Sequence, residues 1–168
     1  MSTADTLDRE AFVARFGGVF EHSPWIAATA FDAGLPEGTL TAEGLHARMV
    51  AALRAGSDEQ KRVLIAAHPD LAGRLAAAKR LTPESAKEQA SAGLDLLSDA
   101  ERTRFTELNE AYKAKFGMPF IMAVKGRTKD EILAAFERRL ENDAAAEAAT
   151  ALAEIERIAL LRLKEMLP

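Results

Sequence analysis

His68 is the residue of this sequence best suited to proton transfer, because it stands directly before Pro69 in the helical stretch AAHPDLAGRL, residues 66–75. Proline disfavours helical backbone in the residue before it, and it is well tolerated in the first turn of a helix. The pattern predicts that one helix ends before His68 and that another begins at Pro69. Histidine titrates near neutral pH and is a common general acid or base. The alternative is that His68 only caps the second helix.

A second polar cluster is predicted in TPESAKEQ, residues 82–89. Ser85, Glu88 and Gln89 are three and four positions apart, so a helix places a hydroxyl, a carboxylate and an amide on one face. Such a face can bind a polar ligand, and the alternative is an ordinary solvated helix surface.

The segment FGMPFIMAVKG, residues 116–126, is a short apolar run with a proline, between Gly117 and Gly126. It has no useful strand alternation, and we predict a buried extended connection. Backbone N–H and C=O groups that no helix uses can bind a planar, amide-rich ligand. The alternative is a plain connection that crosses the core.

The other candidate residues carry weaker signals. His22 precedes Ser23-Pro24-Trp25 and is expected near a helix cap, packed against the tryptophan, while His46 falls inside a predicted helix. Three histidines without paired spacing, in a chain with no cysteine, predict no metal site. Arg162 in LLRLKEML can reach an anionic ligand, and the alternative is an exposed helix cation.

Capping signals divide the chain into helices. Ser57 with Gln60, Ser98 with Glu101, and Thr128 with Glu131 form capping boxes, and Ser23-Pro24 and Thr82-Pro83 pair a cap with a proline. We predict helices near 5–16, 24–33, 42–55, 58–67, 69–80, 83–93, 99–116, 129–142 and 145–166. Left-handed glycines are expected after three of them, at Gly34, Gly56 and Gly117.

The composition favours an all-α fold, a single compact domain of about eight or nine helices over residues 1–168. Alanine and leucine dominate a chain that is 48% hydrophobic and 6% aromatic. The net charge is −4 without a basic face, which excludes nucleic acid as an expected partner. No apolar run approaches the ~20 residues of a membrane span, and the N-terminus has no signal-peptide pattern, so a soluble cytoplasmic protein is expected.

Five segments together resemble one protein family. They are FEHSPWIA (20–27), AHPDLAG (67–73), LTPESAKEQASAGLD (81–95), LNEAYKAKFGMPFIMAVKGRT (108–128) and EILAAFERRL (131–140). In this order they are similar to the OHCU decarboxylases of urate breakdown, over nearly the whole chain.

The resemblance implies an all-helical enzyme, often a homodimer, that works without a cofactor on a small-molecule substrate. It converts 2-oxo-4-hydroxy-4-carboxy-5-ureidoimidazoline (OHCU) to (S)-allantoin and releases carbon dioxide. By motif, His68 matches the catalytic histidine and Glu88 its acidic partner, and Arg162 matches a contact to a carboxylate or carbonyl group. The segments that match substrate contacts comprise Pro69, Ser85, Ala86, Lys87, Glu88, Gln89, Phe120, Ile121, Met122, Ala123 and Val124.

Two other functions stay open from the sequence. The first is a helical ligand-binding or interaction module that keeps the fold without catalysis. The second is a decarboxylase for a related ureidoimidazoline, which Met118 and Met122 would permit, since Met118 stands where many relatives have an aromatic residue.

Overall fold

The computed structural model describes residues 8–20, 22–68, 98–124 and 127–167, and helices are the regular secondary structure of this part of the chain. Those residues contain seven α-helices and no strand, which confirms the all-α prediction. The helices are α1 (Arg9–Phe16), α2 (Trp25–Ala33), α3 (Ala42–Arg54), α4 (Asp58–Ala67), α5 (Asp99–Phe116), α6 (Lys129–Arg139) and α7 (Ala144–Met166). Seven is fewer than the expected eight or nine, and the helices predicted at 69–80 and 83–93 lie outside the described residues.

Capping residues begin the helices largely as their spacing predicts. The Gln60 side chain accepts from the Ser57 N–H at 2.9 Å, and the Ser57 hydroxyl accepts from the Gln60 N–H at 3.0 Å. Ser98 and Glu101 form the same reciprocal pair at 3.0 and 3.2 Å. At α6 the Thr128 hydroxyl accepts from the Glu131 N–H at 3.2 Å. These bonds satisfy backbone N–H groups that a first helical turn leaves unused.

α2 begins at Trp25, one residue later than predicted, and Pro24 before it already has helical backbone angles, as a proline at the start of a helix should. One local prediction is wrong. Gly56 is not left-handed, since positive φ angles among the described glycines occur at Gly34, Gly38 and Gly117. A Cβ at Gly56 would lie 2.9 Å from the Trp25 ring, so close packing requires the glycine.

The chain divides into two compact units, one of Met1–Ala67 with Ile155–Pro168 and one of His68–Glu154. In the first unit α2 packs against both α1 and α3. The Phe12 ring of α1 lies 5.0 Å from Phe16 and 5.4 Å from Phe31, centroid to centroid. Aromatic side chains therefore pack together where α1 contacts α2.

The second unit has its own apolar core, in which α5 packs against α6. The side chains of α5 and α6 that enter it recur every three or four residues, as the sequence spacing predicts. The core consists of Phe105, Leu108, Tyr112, Phe120, Met122, Val124, Ile132, Ala135 and Phe136. No described helix is both long enough and apolar enough to cross a membrane.

Candidate active site

His68 lies directly after the last residue of α4, Ala67, as its position before Pro69 predicts. Only 3% of its surface is exposed, so the imidazole is buried. Burying a polar ring costs free energy unless the ring forms hydrogen bonds. A buried histidine at the end of a helix therefore indicates a role for its imidazole. The site can therefore offer a proton-transfer group that is shielded from bulk water.

The predicted partners of His68 in the following segments lie outside the described residues. These are Pro69, Ser85, Ala86, Lys87, Glu88 and Gln89. The pairing of His68 with Glu88 therefore stays a prediction from the sequence.

The segment Phe120–Val124 is a buried extended connection, as predicted. α5 ends at Phe116, and the left-handed backbone of the next residue, Gly117 (φ 67°, ψ 20°), turns the chain out of the helix. Phe120–Val124 then runs as neither helix nor strand, and each of its residues is at most 4% exposed. Buried non-helical backbone needs partners for its polar groups, and this segment obtains some of them from side chains.

Alternate residues of this segment face different surroundings. Phe120, Met122 and Val124 belong to the apolar core of the second unit. Ile121 and Ala123 are buried but are not members of that core, which fits the alternation of an extended chain. One face of the segment is thereby anchored to α5 and α6.

The Phe120 ring is held on several sides. It stacks on Phe136 at 3.7 Å between ring centroids, with 9° between the ring planes, and meets Tyr112 edge-on at 5.2 Å. The guanidinium carbon of Arg139 lies 4.4 Å from the Phe120 ring centroid. Aromatic and cation–π contacts of this kind favour one ring orientation over others.

A buried ion pair lies beside Phe120. The Arg139 Nε donates to the Glu147 carboxylate at 2.5 Å, and the two side chains are 6% and 0% exposed. The Glu147 carboxylate also accepts from the Tyr112 hydroxyl at 2.8 Å and from the Asn142 amide at 3.0 Å. We call these four residues the Arg139–Glu147 network.

Tyr112 stays protonated within the network. Burial, together with the hydrogen bond to Glu147, raises the pKa of Tyr112 well above its usual range. The hydroxyl therefore remains a donor to the carboxylate at physiological pH. Glu147 accepts from Tyr112, Arg139 and Asn142, which stabilises its charge inside the unit.

Side chains bind the backbone of the extended segment at two points. The Arg139 Nη1 donates to the Ile121 carbonyl at 2.6 Å, and the Ala123 N–H donates to the Glu154 carboxylate at 3.3 Å. Just beyond them, the Val124 carbonyl accepts from the Arg127 N–H at 3.0 Å. The backbone around Met122 is thus held on both sides.

The sequence predictions missed Arg139 and Glu147, although a signal for both was present. Arg139 continues the buried stripe of Ile132 and Phe136 on α6, and Glu147 lies four residues before the buried Ala151 on α7. Charged residues on the apolar stripes of two consecutive helices indicate a buried pair.

Arg162 lies in the first unit and is buried, with 4% of its surface exposed. Its Nη1 donates to the Val19 carbonyl at 3.1 Å. The alternative of an exposed helix cation is therefore wrong. α7 presents Arg162 on its buried stripe, beside the buried Ile158 and Ala159, where an unpaired charge would be costly.

The remaining histidines lie away from any cluster of metal ligands. His46 is within hydrogen-bond distance of the Glu156 carbonyl, 2.8 Å from its Nε2, which gives it a structural role between α3 and α7. His22 is exposed, with a positive φ of 51°. In the part of the chain that the structure describes, no three His, Asp or Glu residues are grouped so as to hold a metal ion.

Comparison with known families gives a match over almost the whole chain. A family model described as OHCU decarboxylase matches residues 5–164. The 2-oxo-4-hydroxy-4-carboxy-5-ureidoimidazoline decarboxylase of Haloferax volcanii is 41% identical over 165 residues, which cover 98% of this chain and 94% of that protein.

Two solved structures are similar in fold. A structure described as (S)-allantoin synthase matches with a TM-score of 0.75 at 30% identity, over 99% of this chain and 54% of that chain. This chain therefore spans about half the length of that neighbour. A structure of OHCU decarboxylase in the presence of (S)-allantoin matches with a TM-score of 0.65 at 26% identity, over 84% of this chain and 89% of that chain.

Proposed function

This chain belongs to the OHCU decarboxylase family, and on that premise we propose that it decarboxylates OHCU to (S)-allantoin in urate degradation. The observation that carries the proposal is the family match over residues 5–164, which contains every predicted site residue. The burial of His68 and of Phe120–Val124 supports it further, because both provide functional groups away from bulk water.

Decarboxylation requires an acceptor for the electron pair of the broken carbon–carbon bond. In OHCU this pair can form a double bond to the neighbouring ring carbon as carbon dioxide leaves, while the electrons of that carbon's C=N bond move onto nitrogen. The nitrogen takes up one proton, which balances the negative charge of the lost carboxylate. Loss of the hydroxyl proton and addition of a proton to the ureido-bearing carbon give the ring carbonyl and the stereocentre of (S)-allantoin. The protein must bind the ring, exclude water and direct one proton.

We assign the proton transfer to His68. The imidazole accepts the proton of the 4-hydroxyl group and delivers a proton to one face of the ureido-bearing carbon. Glu88 orients the imidazole and stabilises its charged form. The burial of His68 supports this role, since a shielded base exchanges its proton with the substrate rather than with solvent.

We assign substrate binding to groups that match the ring in shape and polarity. Ser85 and Gln89 bind its amide edges, Pro69 and the neighbouring Ala86 and Lys87 line the site, and the backbone of Phe120–Val124 contacts the planar ring. Arg162 binds a carboxylate or carbonyl oxygen of the substrate. The extended form and burial of Phe120–Val124 support its part in this assignment.

The proposed function is tested by making the unstable substrate in situ. Urate is converted by the two preceding enzymes of its breakdown, this protein is added, and allantoin is followed by circular dichroism. We expect faster formation of allantoin with an excess of the (S) enantiomer. A rate and an enantiomeric ratio equal to those of the spontaneous reaction would reject the decarboxylase, and would favour the non-catalytic module.

His68→Asn tests the catalytic assignment. Asparagine keeps a polar side chain but has no group that titrates near neutral pH, so we expect turnover to fall by at least about 100-fold while the helical circular dichroism spectrum is kept. The matched control is His46→Asn, at a histidine that bonds to the Glu156 carbonyl. A near-normal rate in His68→Asn would rule out its role in proton transfer.

Three further properties belong to this proposal. We propose a single OHCU decarboxylase-like domain over residues 1–168, a homodimer, and a cytoplasmic location. Light scattering of the purified protein tests the dimer. A related ureidoimidazoline as substrate is tested by comparing its rate with that of OHCU. Met122 belongs to the predicted binding segment and packs in the apolar core of the second unit.

A further inference from the structure

From the geometry of the second unit we infer that Arg139 and Glu147 are positioning residues, which fix the substrate-contacting backbone of Phe120–Val124. This inference rests on the function proposed above. Neither residue is assigned a contact with substrate. They act through the extended segment, whose backbone has no helix or strand to define its position.

Arg139 contacts the segment in two independent ways. Its Nη1 donates to the Ile121 carbonyl at 2.6 Å, which fixes the direction of that peptide group. Its guanidinium also lies 4.4 Å from the centroid of the adjacent Phe120 ring. One rigid, planar group therefore holds a main-chain atom and a side chain of neighbouring residues, which a flexible ammonium group cannot do as well.

Glu147 sets the position of Arg139. Its carboxylate accepts from the Arg139 Nε, so the guanidinium is bound on one edge by Glu147 and on another by the Ile121 carbonyl. Tyr112 and Asn142 donate to the same carboxylate and restrict it in turn. Tyr112 and Asn142 thus hold Glu147, Glu147 holds Arg139, and Arg139 holds the segment.

Stability alone does not require this arrangement. A buried ion pair often contributes no more to folding than apolar residues of the same volume would, because both charges must leave water. Among the described residues, moreover, the buried Arg139 Nη2 has no hydrogen-bond partner, which adds to that cost. What apolar residues could not replace is the hydrogen bond to the Ile121 carbonyl.

The decisive variant is the double substitution Arg139→Met with Glu147→Leu, which removes both charges and keeps the volume similar. We expect a folded protein with a thermal midpoint below that of the wild type, because the Tyr112 hydroxyl and the Ile121 carbonyl lose their partners. Its KM for OHCU should rise by about 10- to 100-fold, with a smaller change in kcat, because the binding backbone is displaced while His68 is untouched. Arg104→Lys is the matched control, since Arg104 is paired with Glu137 at the surface of the same unit.

A conservative variant gives a second measurement. Glu147→Gln keeps the shape of the side chain and weakens its hold on Arg139, so we expect a rise in KM between those of the wild type and the double variant. A folded double variant or a folded Glu147→Gln with the KM and kcat of the wild type would overturn the inference. If neither variant folds, the network is structural and the inference is rejected.

The failure of this inference can be distinguished from failure of the proposed function. If the wild type and Arg104→Lys do not accelerate allantoin formation, the decarboxylase function itself is rejected, and the positioning role is rejected with it. If both are active and the network variants are equally active, only the positioning role is rejected.

Discussion

Two Arg–Glu pairs of this protein use carboxylates of the same helix, α7, in different surroundings. Glu147 pairs with Arg139, and the two side chains are 0% and 6% exposed. Glu156 pairs with Arg54 at 2.7 Å, but Arg54 is 62% exposed while Glu156 is 9% exposed. The chemistry of the two pairs is the same, so the contrast lies in their access to water.

Access to water determines what the loss of one partner costs. The Arg54 guanidinium can be hydrated when Glu156 is removed, whereas the Arg139 guanidinium stays inside the second unit with its charge. Arg139 also binds the Ile121 carbonyl, so its displacement would disturb the main chain. A buried pair is thus a poor source of net stability but a strong constraint on geometry.

Glu147→Ala should give the largest effect. It leaves the buried charge of Arg139 and the hydroxyl of Tyr112 without the carboxylate that binds both. We expect the free energy of unfolding to fall by about 3–5 kcal/mol, measured by urea denaturation. A loss no larger than that of an exposed pair would contradict the contrast between the two pairs.

Glu156→Ala should cost much less. Both carboxylate bonds to Arg54 are lost, at 2.9 and 2.7 Å, but the arginine that remains is largely solvated. We expect a loss of about 1 kcal/mol or less in the same urea experiment. The comparison would fail if Glu156→Ala destabilised the protein as much as Glu147→Ala does.

A third ion pair, between Glu101 and Lys129, extends the contrast to acid conditions. Hydrogen bonds from Lys129 and from the Ser98 backbone lower the pKa of Glu101 to about 2. A carboxylate whose folded-state pKa is lowered stabilises the protein above its unfolded-state pKa, here the ordinary value of 4.5, and this contribution is lost as the pH falls toward 2.

Glu101→Gln should therefore be less stable than the wild type at neutral pH, with a difference that shrinks as the pH falls. Urea midpoints at about pH 7, 5 and 3 measure it. Glu110→Gln, an exposed glutamate of the same helix, is the control. A difference that stays constant across this range would show that Glu101 does not act through its ionisation.

Features that depend on neighbouring residues were the most predictable. The capping pairs Ser57 with Gln60 and Ser98 with Glu101 join residues three apart, so spacing alone identifies them. The break at His68 and the extended segment after Gly117 follow from proline and glycine in the same local way. Gly56 was misinterpreted because its neighbour, the Trp25 ring, is distant in sequence.

The partners of charged groups were the least predictable. Arg139 binds Glu147 and the Ile121 carbonyl, 8 and 18 positions away, and Arg162 binds the Val19 carbonyl, 143 positions away. Such pairs depend on how helices pack, and periodicity indicates only that a charge lies on a buried stripe. The assignments of Glu88, Ser85 and Gln89 rest on the family resemblance and stay predictions.

The alternation of Phe120–Val124 has a consequence for how this region can change in evolution. Phe120, Met122 and Val124 belong to the apolar core and the two residues between them do not, while Gly117 turns the chain just before the segment and Arg139 binds the Ile121 carbonyl within it. Adding or deleting one residue between Gly117 and Ile121 would exchange the two faces, moving Phe120 out of its stack. The number of residues in this connection therefore constrains the fold in addition to the identity of its side chains.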